Sequence, residues 1–171
     1  GTSEVQDLFG EKIFSFPKST VLIKSLISQA VDEDGLILDF FAGSATTAHA
    51  VLQLNSEDTG NRKFLSVQLP EATDEKSEAF KAGYKNIAEI SKERIRRAAA
   101  KIKQENPDYQ GDLGFKVFKL DSTNIKPWEL DFDLTAQDLE DQISNIKPDR
   151  SEDDVLYEVL LKYGLDLTFP I

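Results

Sequence analysis

Leu36-Ile37-Leu38-Asp39-Phe40-Phe41-Ala42-Gly43-Ser44-Ala45-Thr46-Thr47-Ala48-His49-Ala50-Val51 is the stretch that decides the fold. Leu36, Ile37 and Leu38 form a short continuous apolar run closed by Asp39. They read as a strand buried on both faces, the pattern of a parallel sheet. Phe40 to Ala45 is a small-residue loop. A helix follows from Thr46 to Leu54, with Ala48, Val51 and Leu52 on one face. A strand that reaches the sheet's carboxyl edge and turns at once into a helix is where open α/β folds bind ligands. Gly43, Ser44 and Ala45 carry little or no side chain, so a ligand can approach the main chain closely. The first-turn N–H groups of the helix lack intrahelical acceptors, which favours a carboxylate or phosphate. The dinucleotide fingerprint needs three glycines as G-x-G-x-x-G and the phosphate loop needs Gly-Lys-Ser/Thr; Gly43 stands alone here. A tight strand-to-helix turn with no ligand is the plain alternative.

Working outward, residues 1–12 read as a polar lead-in. Leu22, Ile23, Leu26, Ile27 and Ala30 recur at helical spacing from Ser19 onward, and the turn Asp32-Glu33-Asp34-Gly35 ends that helix. The turn formers of residues 55–61 make a loop, and Phe64 to Leu69 reads as a second strand stopped by Pro70. From Asp74 to Glu105 the pattern predicts one long helix. Phe80, Tyr84, Ile87, Ile95, Ala98 and Ile102 keep steps of three and four, with Ser91 as the polar exception. Phe115 to Leu120 alternates apolar and basic residues, as a strand with one exposed face does. After Asp121 the character changes. Thr135-x-x-Asp138 and Ser151-x-x-Asp154 resemble capping boxes, and the second opens a helix that Gly164 is placed to end. The order helix, strand, helix, strand, helix, strand implies a parallel α/β sheet. Residues 1–121 are read as one domain and residues 122–171 as an acidic, mostly helical appendage.

Composition bounds the function. The 171 residues carry a formal charge of −11, whereas a protein that grips DNA by itself presents a basic face. No cysteine and a single histidine, His49, exclude a disulfide framework and a thiolate metal site, and leave little for a Ser-His-Asp triad. No apolar run is long enough to span a bilayer and no secretory signal is visible, so no membrane partner and a cytoplasmic location are expected. The basic run Lys92, Arg94, Arg96, Arg97, Lys101 and Lys103, interleaved with Glu89 and Glu93, reads as a solvated helix face. His49 reads as a packing or surface residue.

The segment DFFAGSATTAHAV resembles the S-adenosyl-L-methionine-binding motif of amino-methylating DNA methyltransferases, commonly D-x-F-x-G-S-G-T-T. The resemblance implies cofactor contacts at Asp39, Phe40, Phe41, Ala42, Gly43, Ser44 and Thr46, with Thr47 as a further candidate. Ala45 stands where the family usually has its second glycine. A methyl group there is tolerable at negative φ and costly at positive φ. FSFPKSTVLIKSLI resembles the motif that precedes the cofactor loop in the class whose catalytic region lies N-terminal; it implies that Pro17, Lys18 and Ser19 flank the cofactor's carboxylate end. Gln68 takes the strand-end position from which an acid usually holds the ribose, and Glu71 could substitute. VQLPE, EKSEAFKAGYKNIAEISKERIRRAAAKI, GFKVFKLDSTNIKPWE and DRSEDDVLYEVLLKYGLDLTFPI extend the resemblance over nearly the whole chain, to modification subunits of type III restriction systems.

That family implies an adenine-N6 DNA methyltransferase with a three-layer α/β/α Rossmann-like fold. The family's Asp/Asn-Pro-Pro-Tyr/Phe base pocket has no counterpart here, because Asn106-Pro107-Asp108-Tyr109 follows a charged helix end and reads as a helix stop and turn. The expectation is therefore the C-terminal, cofactor-binding portion of such an enzyme, with an incomplete sheet, catalytic and target-recognition parts upstream, and no methylation on its own. The implied partners are double-stranded DNA through the full-length protein and a restriction subunit; the incomplete sheet edge, an association hazard, adds a second copy in a homodimer. The alternative is a non-catalytic dimerisation or docking module with a vestigial loop.

Overall fold

The computed structural model describes residues 1–126 and 145–168. The chain divides into two compact units, Gly1–Gly114 and Phe115–Ile171. This boundary falls ahead of the Asp121 at which the sequence changes character.

The first unit is built on a strand–helix–strand motif. Strands β1 (Leu36–Asp39) and β2 (Lys63–Ser66) pair in parallel, with Leu36 opposite Lys63 and Asp39 opposite Ser66. Helix α3 (Thr46–Asp58) connects them. It runs one turn beyond Leu54 because Asn55, a turn former in isolation, spends its side-chain amide on a long-range tie. Asn55 Nδ2 donates to Arg62 O at 2.8 Å and Asn55 Oδ1 accepts from Arg62 N at 3.1 Å, so the amide joins the helix to the start of β2. Helix α2 (Thr20–Ala30) lies against α3, and Ile27, Ala50, Val51 and Leu54 form a buried cluster with Ile23, Val31, Ile37 and Phe64 around it.

This cluster covers one face of the sheet. The expectation that β1 is buried on both faces is corrected: Leu36 is 66% and Leu38 46% exposed, and Leu65 of β2 is exposed beside them. Ile37 and Phe64 point to the helices, whereas alternate residues face outward, because side chains alternate along a strand and no described element packs on the other side.

Residues 1–12 are not a lead-in. Val5, Leu8 and Phe9 share a face of helix α1 (Thr2–Phe9), which closes at Gly10 with φ 83°. Val5 is 1% exposed and packs with Ile13, Ala79 and Ile90, ringed by Phe9, Phe14 and Tyr84. The long helix expected from Asp74 is broken as well. It resolves into α4 (Glu78–Lys81) and α5 (Ile87–Glu105), separated by Gly83 at φ 94° and by Asn86, whose Oδ1 accepts from Glu89 N at 3.0 Å and caps α5. Tyr84, counted above as part of the helical stripe, lies edge-on to Phe9 instead. The helix stop at Asn106-Pro107 holds, with Tyr109 N donating to Asn106 O.

In the second unit, residues 115–120 form no strand, which corrects the third strand. Their alternation serves local contacts: Phe118 packs edge-on to Tyr157 and Lys116 donates to the Tyr157 hydroxyl. Helix α6 (Glu152–Lys162) opens on the expected capping box, with Ser151 and Asp154 bonding each other's main chain, and Gly164 at φ 68° follows its end. Thr135-x-x-Asp138 and Trp128 lie outside the described residues. No described helix is long and apolar enough to cross a membrane.

Candidate cofactor loop

The loop Phe40–Ala45 leaves the carboxyl end of β1 and is fixed from three sides. The first is its own flanks: Asp39 Oδ1 accepts from Phe41 N at 3.1 Å, and Asp39 Oδ2 from Thr47 Oγ1 at 2.6 Å, so the strand-end carboxylate braces both arms of the turn. The second is β2 and its continuation. Ala42 N donates to Val67 O at 3.1 Å and Gly43 N to Gln68 Oε1 at 2.7 Å, while Gln68 Nε2 donates to Leu69 O at 3.0 Å. Gln68 is thus joined to the loop itself.

The third side is α5. Ser91 Oγ donates to Gly43 O, and also lies 2.9 Å from Ile87 O one turn back. Arg94, one turn further on, is wholly buried. Its Nη1 donates to Ser44 Oγ and Thr46 Oγ1, both at 2.8 Å, and to Ser44 O at 3.3 Å; its Nε donates to His49 Nδ1 at 3.3 Å. Arg94 Nη2 lies 3.8 Å from Glu4 Oε2 and has no hydrogen-bond partner. Burial lowers the Arg94 pKa to about 10 against the opposing pull of Glu4, which leaves it charged at neutral pH. Burial, with the Arg94 charge beside it, pushes His49 down to about 3, so this imidazole is a neutral acceptor.

The basic run on α5 is therefore not uniformly a solvated face. Lys92 pairs with Glu89 and Arg97 with Glu93, both at 2.7 Å and one turn apart, while Arg97 also lies over the Phe9 ring and donates to Leu8 O at 3.0 Å. Arg94 points the opposite way, into the core. The signal for it was present in the periodicity, since Arg94 is three residues beyond Ser91 and both fall on the apolar stripe of Ile87, Ile95, Ala98 and Ile102.

The turn into α3 is made by left-handed residues. Gly43 has φ 52°, and Ala45 has φ 57° and ψ 42° with its methyl fully buried. For a non-glycine residue that conformation costs about 1–2 kcal/mol. Ala45 offers no side-chain cap, and the N–H groups of Thr46, Thr47 and Ala48 have no intrahelical acceptor.

Asp39, Phe40, Phe41, Ala42, Gly43, Ser44, Thr46 and Gln68 thus come together at one end of the sheet. Ser44, Thr46 and Ala42 are buried, whereas Phe40 and Phe41 are exposed, Phe41 by 87%. Pro17, Lys18 and Ser19 form the run into α2 and reach the loop indirectly. Ser19 Oγ donates to Glu4 Oε1 at 3.5 Å, Thr20 N donates to Glu4 Oε2 at 3.0 Å, and Glu4 faces Arg94. Lys18 is exposed. Phe14 comes closer: its Cζ would lie 3.6 Å from a Cβ at Gly43.

Comparison with known proteins places the chain, by similarity, among the sequences of DNA-modifying enzymes. Over 119 residues the chain is 52% identical to the Mod subunit of the type III restriction-modification enzyme StyLTI of Salmonella typhimurium, a stretch that is 70% of this chain and 18% of that protein. It is 44% identical over 121 residues, with the same shares of 70% and 18%, to the Mod subunit of EcoP15I of Escherichia coli. It is also 42% identical over 94 residues to the type II methyltransferase M.KpnI of Klebsiella pneumoniae, covering 55% of this chain and 22% of that protein. The chain thus spans about a fifth of the length of the curated relatives it matches. A family profile described as DNA methylase matches residues 2–101, which contain both strands, the loop and most of α5. With more than half of its length inside that match, the chain belongs to the DNA methylase family.

Proposed function

We propose that this chain is the S-adenosyl-L-methionine-binding portion of a site-specific DNA adenine-N6 methyltransferase of a type III restriction-modification system. The observation that carries the reading is the loop from Asp39 to Thr46, with its left-handed Gly43 and Ala45, at the carboxyl end of a parallel strand in a chain of the DNA methylase family. Bound there, the cofactor supplies an electrophilic methyl group. The chain's residues bind and orient it. The N–H groups of the α3 first turn would hold the carboxylate of the methionine part, Lys18 would add a cation toward it, and the exposed rings of Phe40 and Phe41 would offer apolar contact. Gln68 is already engaged by Gly43 N, so the ribose hydroxyls fall to its Nε2 side or to the exposed carboxylate of Glu71.

The base pocket and target recognition belong to parts of the parent protein beyond this chain, which contains no Asp/Asn-Pro-Pro-Tyr/Phe. In that protein the two strands are part of a three-layer α/β/α sandwich, whose second helical layer covers Leu36, Leu38 and Leu65. Residues 122–171 serve as the appendage. Double-stranded DNA, a restriction subunit and a second copy are the partners, with DNA gripped by the remainder, since this piece carries a net charge of −11. The cytoplasm is the proposed location.

A second reading is a docking or dimerisation module with a vestigial loop, favoured by the left-handed Ala45 and by the exposed sheet face. Calorimetric titration of the full chain with S-adenosylmethionine separates the two. Saturable heat that disappears in Gly43→Asp is expected, since a side chain at this left-handed position strains the turn that presents the loop. A folded chain that takes up no ligand would overturn the cofactor reading and leave the docking module.

A further inference from the structure

We infer that Ser91 and Arg94 are positioning residues for the cofactor loop, acting from behind it to fix which way its amide donors face. The inference rests on the cofactor reading above. In a trans peptide the carbonyl and the following N–H point in opposite directions. The Gly43 carbonyl is held by Ser91 Oγ, so the Ser44 N–H is turned away from α5. The Ser44 carbonyl is held by Arg94 Nη1 at 3.3 Å, and the Ala45 N–H opposite it is taken by Ala42 O at 2.7 Å. The Ala45 carbonyl is taken by His49 N at 3.1 Å, which directs the Thr46 N–H the other way. Ser44 therefore presents its N–H on the side opposite α5, and Thr46 presents its N–H at the N-terminal end of α3, donors that a carboxylate matches. Arg94 also fixes the two side chains between which Ala45 takes its left-handed turn, through Ser44 Oγ and Thr46 Oγ1, both at 2.8 Å.

The charge of Arg94 adds to this. Its neighbours at the loop are neutral: two hydroxyls, a carbonyl and a neutral imidazole. The nearby carboxylate, Glu4, stands 3.8 Å from Nη2 and spends the same oxygen on Thr20 N. A guanidinium with so weakly engaged a counter-ion lies directly beneath the loop, where the α3 dipole is also positive. The arrangement costs stability in the free chain and favours an anion on the outer side.

Two ligands that differ in their amino-acid end test the inference. S-adenosylhomocysteine carries the carboxylate; 5′-methylthioadenosine has the same nucleoside and lacks it. Each is titrated calorimetrically into the full chain and into two variants. Ser91→Ala removes one hydrogen bond and raises helix propensity, so it keeps the fold. Arg94→Lys keeps the charge and loses the rigid fork. The expected result is a rise in the S-adenosylhomocysteine Kd of about fivefold for Ser91→Ala, the worth of one hydrogen bond, and about tenfold or more for Arg94→Lys. The Kd of 5′-methylthioadenosine stays unchanged in both. If the two ligands weaken together in Ser91→Ala, or neither weakens, the positioning role is wrong while the cofactor reading stands. If the unsubstituted chain binds neither ligand, the cofactor reading fails and takes this inference with it.

Discussion

The two units of the chain are held together by different physics. In Gly1–Gly114 the fold rests on apolar burial: Val5, Ile90, Ala98 and Val51 are all but inaccessible, and even the buried cation Arg94 is enclosed by this core. In Phe115–Ile171 no described hydrophobic residue is buried, and α6 has no buried face. Beside the edge-on contact of Phe118 with Tyr157, its order comes from polar ties. Glu158 Oε2 accepts from Asn124 N at 2.6 Å and Glu158 Oε1 from Lys162 at 2.6 Å and from Thr123; Arg150 bonds Asp121 at 2.8 Å; Asn124 Nδ2 bonds Asp154 O at 2.7 Å. Water competes for every one of these bonds and salt screens the charged ones, whereas neither weakens a dry apolar cluster comparably. The first unit is accordingly a folded scaffold for a site. The second has the composition of a segment that gains most when something covers Val159, Leu161 and Tyr163.

The largest expected effect is a core truncation. Ile90→Ala in the first unit costs about 3 kcal/mol, seen as a lower urea midpoint by circular dichroism. Leu161→Ala in α6, where Leu161 is 64% exposed, leaves that midpoint within about 0.5 kcal/mol of its starting value. Equal effects would remove the distinction between the units.

Acid sharpens it. His49 is depressed from 6.5 to about 3 by burial and by Arg94, so between these values the unfolded chain binds a proton that the folded one refuses. Stability of the first unit therefore falls as pH drops from 6.5 toward 3, by up to about 1.4 kcal/mol per pH unit. His49→Asn, which keeps an acceptor for Arg94 Nε, flattens that slope in urea titrations across the range. A slope that the variant leaves intact assigns the loss to other groups.

Ala45→Gly relieves the left-handed turn and stabilises the first unit by about 1 kcal/mol, measured as a raised thermal midpoint. A lower midpoint would mean that the buried methyl contributes more through packing than its backbone costs.

The smallest effect is in the second unit. Its bond to Lys162, then those to Thr123 and Asn124, hold Glu158 down at about 2 from an ordinary 4.5. The order it contributes is present above pH 4.5 and is lost as pH falls through 2. Acid titration followed by amide hydrogen exchange in α6 is expected to lose protection in that lower window, and Glu158→Gln to abolish the change.

What could be read from the residues alone follows the same division. The turn from Asp39 to Thr46, the start of α2 and the cap at Ser151 are local events written in adjacent residues, and they were legible. The membership of the DNA methylase family was legible for the same reason, since the loop and its neighbours form a contiguous pattern. Tertiary events were not. The periodicity places Arg94 on the apolar stripe, apart from Lys92 and Arg96, but its partners Ser44, Thr46 and His49 come from α3 and its loop and are invisible in the segment itself. Val5 belongs to a polar segment until α5 supplies a surface for it. Phe115–Leu120 alternates like a strand yet lacks a neighbour to bond with, and β1 reads as fully enclosed although one face stands open. Ser91, which interrupts an apolar stripe, was the one visible trace of the tether to Gly43.

The joint between α3 and β2 has a consequence for how the molecule ages. Asn55 closes it with a donor toward Arg62 O and an acceptor toward Arg62 N. Loss of ammonia from that amide would convert the donor to an oxygen and set two acceptors face to face in a buried place. The folded chain shields the amide that keeps it folded, so each excursion to the unfolded state exposes it to a reaction that cannot be undone. Hydrolysis at this one side chain would then record, as a permanent chemical mark, how long the protein has spent open.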